Sequence, residues 1–504
     1  MGHMRMDHDE APVLEALERY QRTDELPFTP PGHKQARGAD PRVRAVLGDA
    51  VFHGDVLASG GLDDRRTRGG VLERAERLMA DAVHAEHTFF STCGSSLSVK
   101  AAMLAVAGPH EKLLVGRDAH KSVVSGLVLS GIHPVWVEPR WDDTRLLAHA
   151  PSADAFEAAF EAHPDARGAL VTSPTPYGTC ADLARIAQVC HRRGRPLVVD
   201  EAWGAHLPFH PDVPTWAMDA GADVCVTSIH KMGSGLEQGS VFHLQGPHID
   251  PALLAQRSDL LGTTSPSVLI YAGMDGWRRQ MAQHGHELLS RALELTARTR
   301  DRLQAIEGVH VNGREDFVDE GGAADLDPLP VVLDLSALPV TGYQAADWLR
   351  EHRRIDVHVS DHRRINTQLT HADDDGTATA LVDAVRDLAE RARARELPPG
   401  PTISLSASSA LRMEQAVLPR DAYFGRVEDV PAEEAEGRVA AEMITPYPPG
   451  IPAVLPGERL TGTVLDYLRT GLAAGMNLPD AADPGLRTVR VLAENGHPVP
   501  PTDA

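Results

Sequence analysis

Short apolar runs alternate with segments of helical period along the first half of the chain. The runs "TFF" (88–90), "KLLV" (112–115), "PVWV" (134–137), "ALVTS" (169–173), "PLVVD" (196–200) and "ADVCVTS" (222–228) predict short buried strands. Residues 71–83, 97–106, 122–130, 153–162 and 183–193 carry the period of helices between them. Such alternation is the pattern of βαβ units around a mainly parallel sheet, so the expected fold class is α/β. After "GSVFHL" (239–244), a long helical stretch over 267–306 leads into a different texture. Strands "PVVLDL" (330–335) and "IDVHVS" (355–360) mix there with helices over 343–352 and 378–394, which predicts a smaller α+β domain. The link "ELPPGPT" (396–402) opens a third segment, whose "TPYPPGIPAVLPGE" (445–458) is too rich in proline for a helix or central strand. The expected division is an arm over 1–26, a large domain over 27–306, a small domain over 307–395 and a C-terminal domain over 396–504.

At 504 residues the chain is too long for one hydrophobic core. Hydrophobic residues make up 42%, yet no uninterrupted apolar run approaches the length of a membrane span. The opening "MGHMRMDHDE" is charged and lacks the apolar stretch of a secretory leader, and its "GHM" resembles a tag remnant. Cys93, Cys180, Cys190 and Cys225 show no metal-ligand spacing, which fits a reduced cytoplasm. The net charge of −22 argues against a nucleic-acid partner and favours cationic small molecules, although it also serves solubility. Among the 25 histidines no pair has zinc spacing, so no metal is expected.

Ligands of open parallel sheets bind at the carboxyl ends of strands, and four polar clusters fall at such ends. Lys231 follows "ADVCVTS", Asp200 closes "PLVVD", Ser95 and Ser96 sit between "TFF" and a helix, and His120 follows "KLLV". Each has a plain structural reading: a lysine snorkelling to solvent, a helix-capping carboxylate, turn serines and a loop histidine. Together they match the needs of pyridoxal phosphate, which requires a lysine for its aldehyde, a carboxylate for its ring nitrogen, a helix N-terminus for its phosphate and a flat group for its ring. The segment "GSGLEQG" (233–239) has G-x-G-x-x-x-G spacing and follows a lysine, so it is not a dinucleotide loop.

With these motifs the chain resembles the fold-type I pyridoxal-phosphate enzymes and, within them, the Orn/Lys/Arg decarboxylases of the short bacterial type. The resemblance covers about 27–461 and rests on "PGHK" (31–34), "GGLDD" (60–64), "RDAHKS" (117–122), "SPTPYGTCADL" (173–183), "DEAWGAH" (200–206), "SIHK" (228–231), "TTSPS" (263–267), "SDHRRI" (360–365) and "PYPPGIPAVLPGE" (446–458). It implies an aspartate aminotransferase-like large domain, a small α+β domain and a C-terminal decarboxylase domain. It implies pyridoxal 5'-phosphate bonded to Lys231, its ring nitrogen held protonated by Asp200, His120 stacked on the ring, and Ala202 and Trp203 beside it. Ser95, Ser96, Ser228 and His230 then bind the phosphate, joined by Thr264 from a partner subunit, so the active site is shared in a homodimer. The family carries Ser or Thr where this chain has Leu97, which leaves the backbone N–H of Leu97 as its contribution and loosens the register of the phosphate loop. The implied reaction converts arginine, lysine or ornithine to the amine and CO2, in the cytoplasm and as part of polyamine biosynthesis. Glu442 is the first candidate for the distal cation of the substrate, with Glu458 and Asp361 next. Arg363 or Arg364 could bind an α-carboxylate, which keeps an aminotransferase or an oxygen-using oxidase on the same scaffold as alternatives. A cofactor-binding regulatory protein is a third, disfavoured by the presence of both Lys231 and Asp200. The larger relatives of this family start with a receiver-like domain, for which no room is expected before "PGHK".

Overall fold

In a computed structural model the described residues are 6–23, 25–58, 62, 70–401, 403, 411–447 and 450–494. The motif "GGLDD" and the tag remnant therefore fall largely outside them. Strands used below are β1 (His87–Ser91), β2 (Lys112–Gly116), β3 (His133–Val137), β4 (Ala169–Thr172), β5 (Leu197–Asp200), β6 (Val224–Ser228), β7 (Ser240–Leu244), β8 (His310–Asn312), β9 (Pro330–Asp334), β10 (Val359–Ser360), β11 (Arg364–Gln368), β12 (Val427–Pro431) and β13 (Thr488–Leu492). The helices are α1 (Gly94–Val106), α2 (Lys121–Ser130), α3 (Leu183–His191), α4 (Val268–Gln304), α5 (Gly342–Arg353), α6 (Asp375–Arg393) and α7 (Gly462–Ala473). The chain folds as two compact units, Met1–Val106 with Leu183–Leu288, and Ala107–Asp182 with Leu289–Ala504. The class is mixed α/β with a mainly parallel central sheet.

In the first unit four strands run in the order β1-β7-β6-β5. β5 and β6 are parallel, with Asp200 opposite Val226, while β7 is antiparallel to both of its neighbours and sets Ser240 opposite Ser228. Every residue of β5, β6 and β7 is buried, as continuous apolar runs covered on both faces require. α1 lies on these strands. It begins three residues before the apolar period does, because Gly94 takes a left-handed φ of +74° and the turn it opens carries only small polar side chains. A buried ion pair in α4, Asp275 with Arg278 at 3.0 Å, also receives the N–H of Val13 at 2.8 Å and so ties the N-terminal helix Pro12–Arg22 to this unit.

In the second unit β4, β2 and β3 are parallel neighbours in that order. A separate antiparallel sheet, β8-β9-β11-β10, is covered by α5 and α6. Both helices start with a capping box, Thr341 with Gln344 and Asp374 with Thr377, so their first N–H groups are satisfied within the sequence itself. The predicted strand over 355–360 shrinks to β10. Arg354 closes α5 at a φ of +55°, and Ile355 and Val357 then pack against the apolar cluster without joining a ladder. A further apolar cluster gathers Met413, Val464, Leu468, Val489 and Val491, built on α7 and the antiparallel pair β12–β13. Among the described residues no helix is long and apolar enough to cross a membrane, and all four cysteines are free.

Candidate active site

The fully buried strand β6 ends at Ser228, and the chain turns at once, so Lys231 emerges beside the core and not at the surface. Its Nζ lies over the Trp203 ring, 3.8 Å from the centroid. Burial pushes the ammonium down to about 8, and the negative charges of Asp200 and Glu237 oppose that fall. Asp200, at the end of β5, is 3% exposed, and its Oδ1 has no hydrogen-bond partner among the described residues. Burial raises its pKa, while the charge of Lys231 and the N–H of Ala202 hold it down. A buried carboxylate with one oxygen unspent is costly unless a donor completes it.

The hydroxyl of Ser228 donates to Ser95 Oγ at 2.9 Å and so joins the end of β6 to the first turn of α1. The N–H of Gly94 donates to the carbonyl of Gln238 at 2.9 Å, and His230 Nδ1 lies 3.2 Å from the carbonyl of Gly239, so the segment after Lys231 folds back onto the helix start. Ser96 is half-buried on the same turn, and Leu97 is buried. Thr264 is exposed and lines a cavity of the first unit with Thr92, Cys93, Leu97 and Tyr271. Glu237 escaped the sequence reading because it lies in the glycine segment set aside above; its signal was only its place six residues after Lys231.

The expectation of pyridoxal phosphate can be tested on these atoms. An amine with a depressed pKa, a buried carboxylate oxygen without a donor and two hydroxyls at the N-terminus of a 13-residue helix are what the aldehyde, ring nitrogen and phosphate require. The residues fit the group.

The other expected site residues belong to the second unit. His120 caps α2, accepting the N–H of Ser122 on Nδ1 at 3.2 Å. Gly450, from the Pro-rich motif, approaches its ring so closely that a Cβ there would fall 3.0 Å from Nε2. The substrate candidates are each engaged locally. Glu442 accepts the N–H groups of Ala482 at 2.5 Å and Arg490 at 2.6 Å, one on each oxygen. It ties three chain segments together. Glu458 holds Arg117 through both oxygens at 3.2 Å. Asp361 pairs with Arg364 at 2.9 Å and accepts the Tyr177 hydroxyl at 3.0 Å. Arg363 is paired with Asp334 at 2.7 Å, so neither guanidinium is an open carboxylate receptor.

The solved structure of the constitutive lysine decarboxylase of Escherichia coli superposes with a TM-score of 0.79 at 23% identity, covering 97% of this chain and 82% of that one. Serine palmitoyltransferase of Sphingomonas wittichii follows at a TM-score of 0.53 and 15% identity over 70% of this chain and 85% of its own. At those identities the likeness establishes the fold. In sequence, the arginine decarboxylase of Halalkalibacterium halodurans is 36% identical over 487 residues, 97% of this chain and 98% of that protein. The arginine decarboxylase of Bacillus subtilis is 34% identical over 97% of this chain and 99% of its own. The major domain of Orn/Lys/Arg decarboxylase matches residues 11–376 and its C-terminal domain residues 404–484. Strand-end lysine and carboxylate, fold and full-length matches thus agree, and the chain belongs to the Orn/Lys/Arg decarboxylase family.

Proposed function

We propose that this protein decarboxylates a basic L-amino acid, arginine first, to the amine and CO2 with pyridoxal 5'-phosphate in the site around Lys231. The observation that carries the reading is the pairing of a lysine with a depressed pKa and a buried carboxylate of unspent oxygen at adjacent strand ends. The relatives named arginine decarboxylase support arginine as the first substrate.

In this reading Lys231 would hold the aldehyde end of the cofactor, Asp200 its ring nitrogen, and Ser95, Ser96, Ser228, His230 and the N–H groups of Leu97 and its turn its phosphate. Ala202 and Trp203 would line the ring, and Thr264 would serve the site of a partner subunit in a homodimer. When bound, the cofactor supplies the electron sink that accepts the pair left on the α-carbon as CO2 departs. Asp200 keeps the proton on the ring nitrogen, because a buried anion there favours the charged ring. With its pKa lowered to about 8, the Lys231 amine would be a base near neutral pH, able to carry the proton destined for the α-carbon. Arg363 and Arg364 are spent on Asp334 and Asp361, which disfavours the aminotransferase alternative, since a carboxylate receptor would first have to give up its buried partner. The protein works in the cytoplasm.

The test is incubation of the purified protein with arginine, lysine and ornithine under air and under nitrogen, with CO2, amine, ammonia and peroxide measured. CO2 and amine in equal amounts, without need of oxygen or a keto acid, are expected. Stoichiometric peroxide or strict dependence on a keto acid would overturn the assignment.

A further inference from the structure

Three side chains with no common sequence spacing meet in the first unit, at the end of β6 remote from Lys231. His191 is the last residue of α3, Asp223 immediately precedes β6, and His248 lies in the loop after β7. His191 Nε2 is 2.9 Å from Asp223 Oδ2, and His248 Nδ1 is 2.7 Å from Oδ1. The two imidazoles are stacked, with centroids 4.8 Å apart and planes 20° from parallel. One donor atom from each residue falls within 4.8 Å of the others.

The surroundings of Asp223 are unusual. Its side chain is 2% exposed, and each of its oxygens is within hydrogen-bond distance of the ring nitrogen of a different imidazole. The N–H of Leu197 donates to Oδ2 at 2.8 Å and fixes the carboxylate, but brings no charge. A buried anion without a permanent cation is costly, and a bound cation relieves it. The donor set decides which cation. Two imidazoles and a carboxylate suit a borderline divalent ion such as Zn²⁺, Co²⁺, Ni²⁺ or Cu²⁺ better than Mg²⁺ or Ca²⁺. Metal–ligand bonds of about 2.0–2.2 Å put neighbouring donors of a tetrahedral shell roughly 3.3 Å apart, so the two imidazole–carboxylate contacts would open by about half an ångström and donors near the 4.8 Å limit would close. The histidine side chains are 36% and 21% exposed, which leaves water a route to the remaining coordination position.

We propose that His191, Asp223 and His248 form a binding site for a divalent transition-metal ion, with Zn²⁺ the first candidate. The ion pins the end of α3 and the loop after β7 to the start of β6, and so braces the strand whose other end leads to Lys231. Its role is structural and needs no contact with the reaction.

The experiment titrates chelator-treated, cofactor-loaded protein with Co²⁺ and Zn²⁺, comparing wild type with His191→Gln and His248→Gln. Asp223 is left intact because it also holds the N–H of Leu197. Wild type should bind one more tight equivalent than either variant, show a visible Co²⁺ band that both lack, and gain thermal stability with Zn²⁺ that both fail to gain. Unchanged visible absorption of the cofactor reports that the variants are folded. Equal uptake in all three proteins would assign binding to other histidines and overturn the site. Anomalous diffraction from Co²⁺-soaked wild-type crystals needs no variant, and a peak only elsewhere would overturn it as well.

Discussion

Replacing Trp203 with leucine tests how the protein makes Lys231 reactive. With a pKa of about 8, Lys231 is roughly 25% free amine at pH 7.5, whereas an ordinary lysine at about 10.4 is only ~0.1% free amine. The Trp203 ring, 3.8 Å from Nζ, acts against this gain by favouring the ammonium. A partly desolvated cation–π contact is worth about 1–2 kcal/mol, or roughly 0.7–1.5 pKa units. Trp203→Leu should therefore lower the midpoint of Lys231 by about that much and raise its reactivity at pH 7.5 roughly 2.5–4-fold. Trp203→Phe, which keeps a weaker quadrupole, should fall between the two. This order separates ring electrostatics from simple opening to water, which would move the midpoint upward. The assay is competitive acylation of the cofactor-free protein from pH 6 to 10.5, with the Lys231 peptide quantified by mass spectrometry. A wild-type profile still rising beyond pH 9.5, or a leucine variant whose midpoint is unchanged or higher, would refute the reasoning.

Two further substitutions probe buried carboxylates. If Asp200 serves the ring nitrogen as proposed, Asp200→Asn should slow turnover by roughly 10²-fold or more, as loss of other preorganised electrostatic groups does; near-normal turnover would show that another carboxylate serves the ring. Asp118 is buried, neither oxygen has a hydrogen-bond partner of good geometry among the described residues, and burial raises its pKa to about 7 against the pull of its own N–H and of Arg117. The native state therefore holds this proton where the unfolded chain has lost it, so stability falls as pH rises from about 4 through 7. Between pH 5.5 and 8 the loss from this one group is about 2 kcal/mol. Urea midpoints should show that fall in wild type and not in Asp118→Asn, and parallel pH profiles would sink the prediction.

Strand ends were legible because short β-branched runs such as 224–228, closed by polar and glycine-rich residues, read as buried strands, and a lysine just beyond one or an aspartate at its last position is held at its carboxyl end. The start of α1 was not, since Gly94, Ser95 and Ser96 have no apolar side chain to carry a period. Proline drew attention to the last segment as a loop and hid α7 and the β12–β13 pair, whose apolar positions meet only across some sixty residues of chain. The surroundings of Glu442 were hidden for the same reason, because its partners, the main-chain N–H groups of 482 and 490, cannot be seen from position 442. The cluster of His191, Asp223 and His248 was invisible to any spacing rule, being assembled by α3, β6 and the loop after β7.

The first unit is built from two stretches of chain, and the second stretch starts only at Leu183. On the ribosome α1 emerges with Val99, Ala101, Ala102 and Met103, side chains that are wholly covered in the finished protein. The strands that cover them, β5 to β7, begin at Leu197, about ninety residues later. At roughly 5–20 residues per second, that is a wait of about 5–20 s with an apolar helix face uncovered. Lys231 comes later still. α1 thus has need of a chaperone during synthesis, and slow translation between residues 106 and 197 would lengthen its exposure without changing a single amino acid.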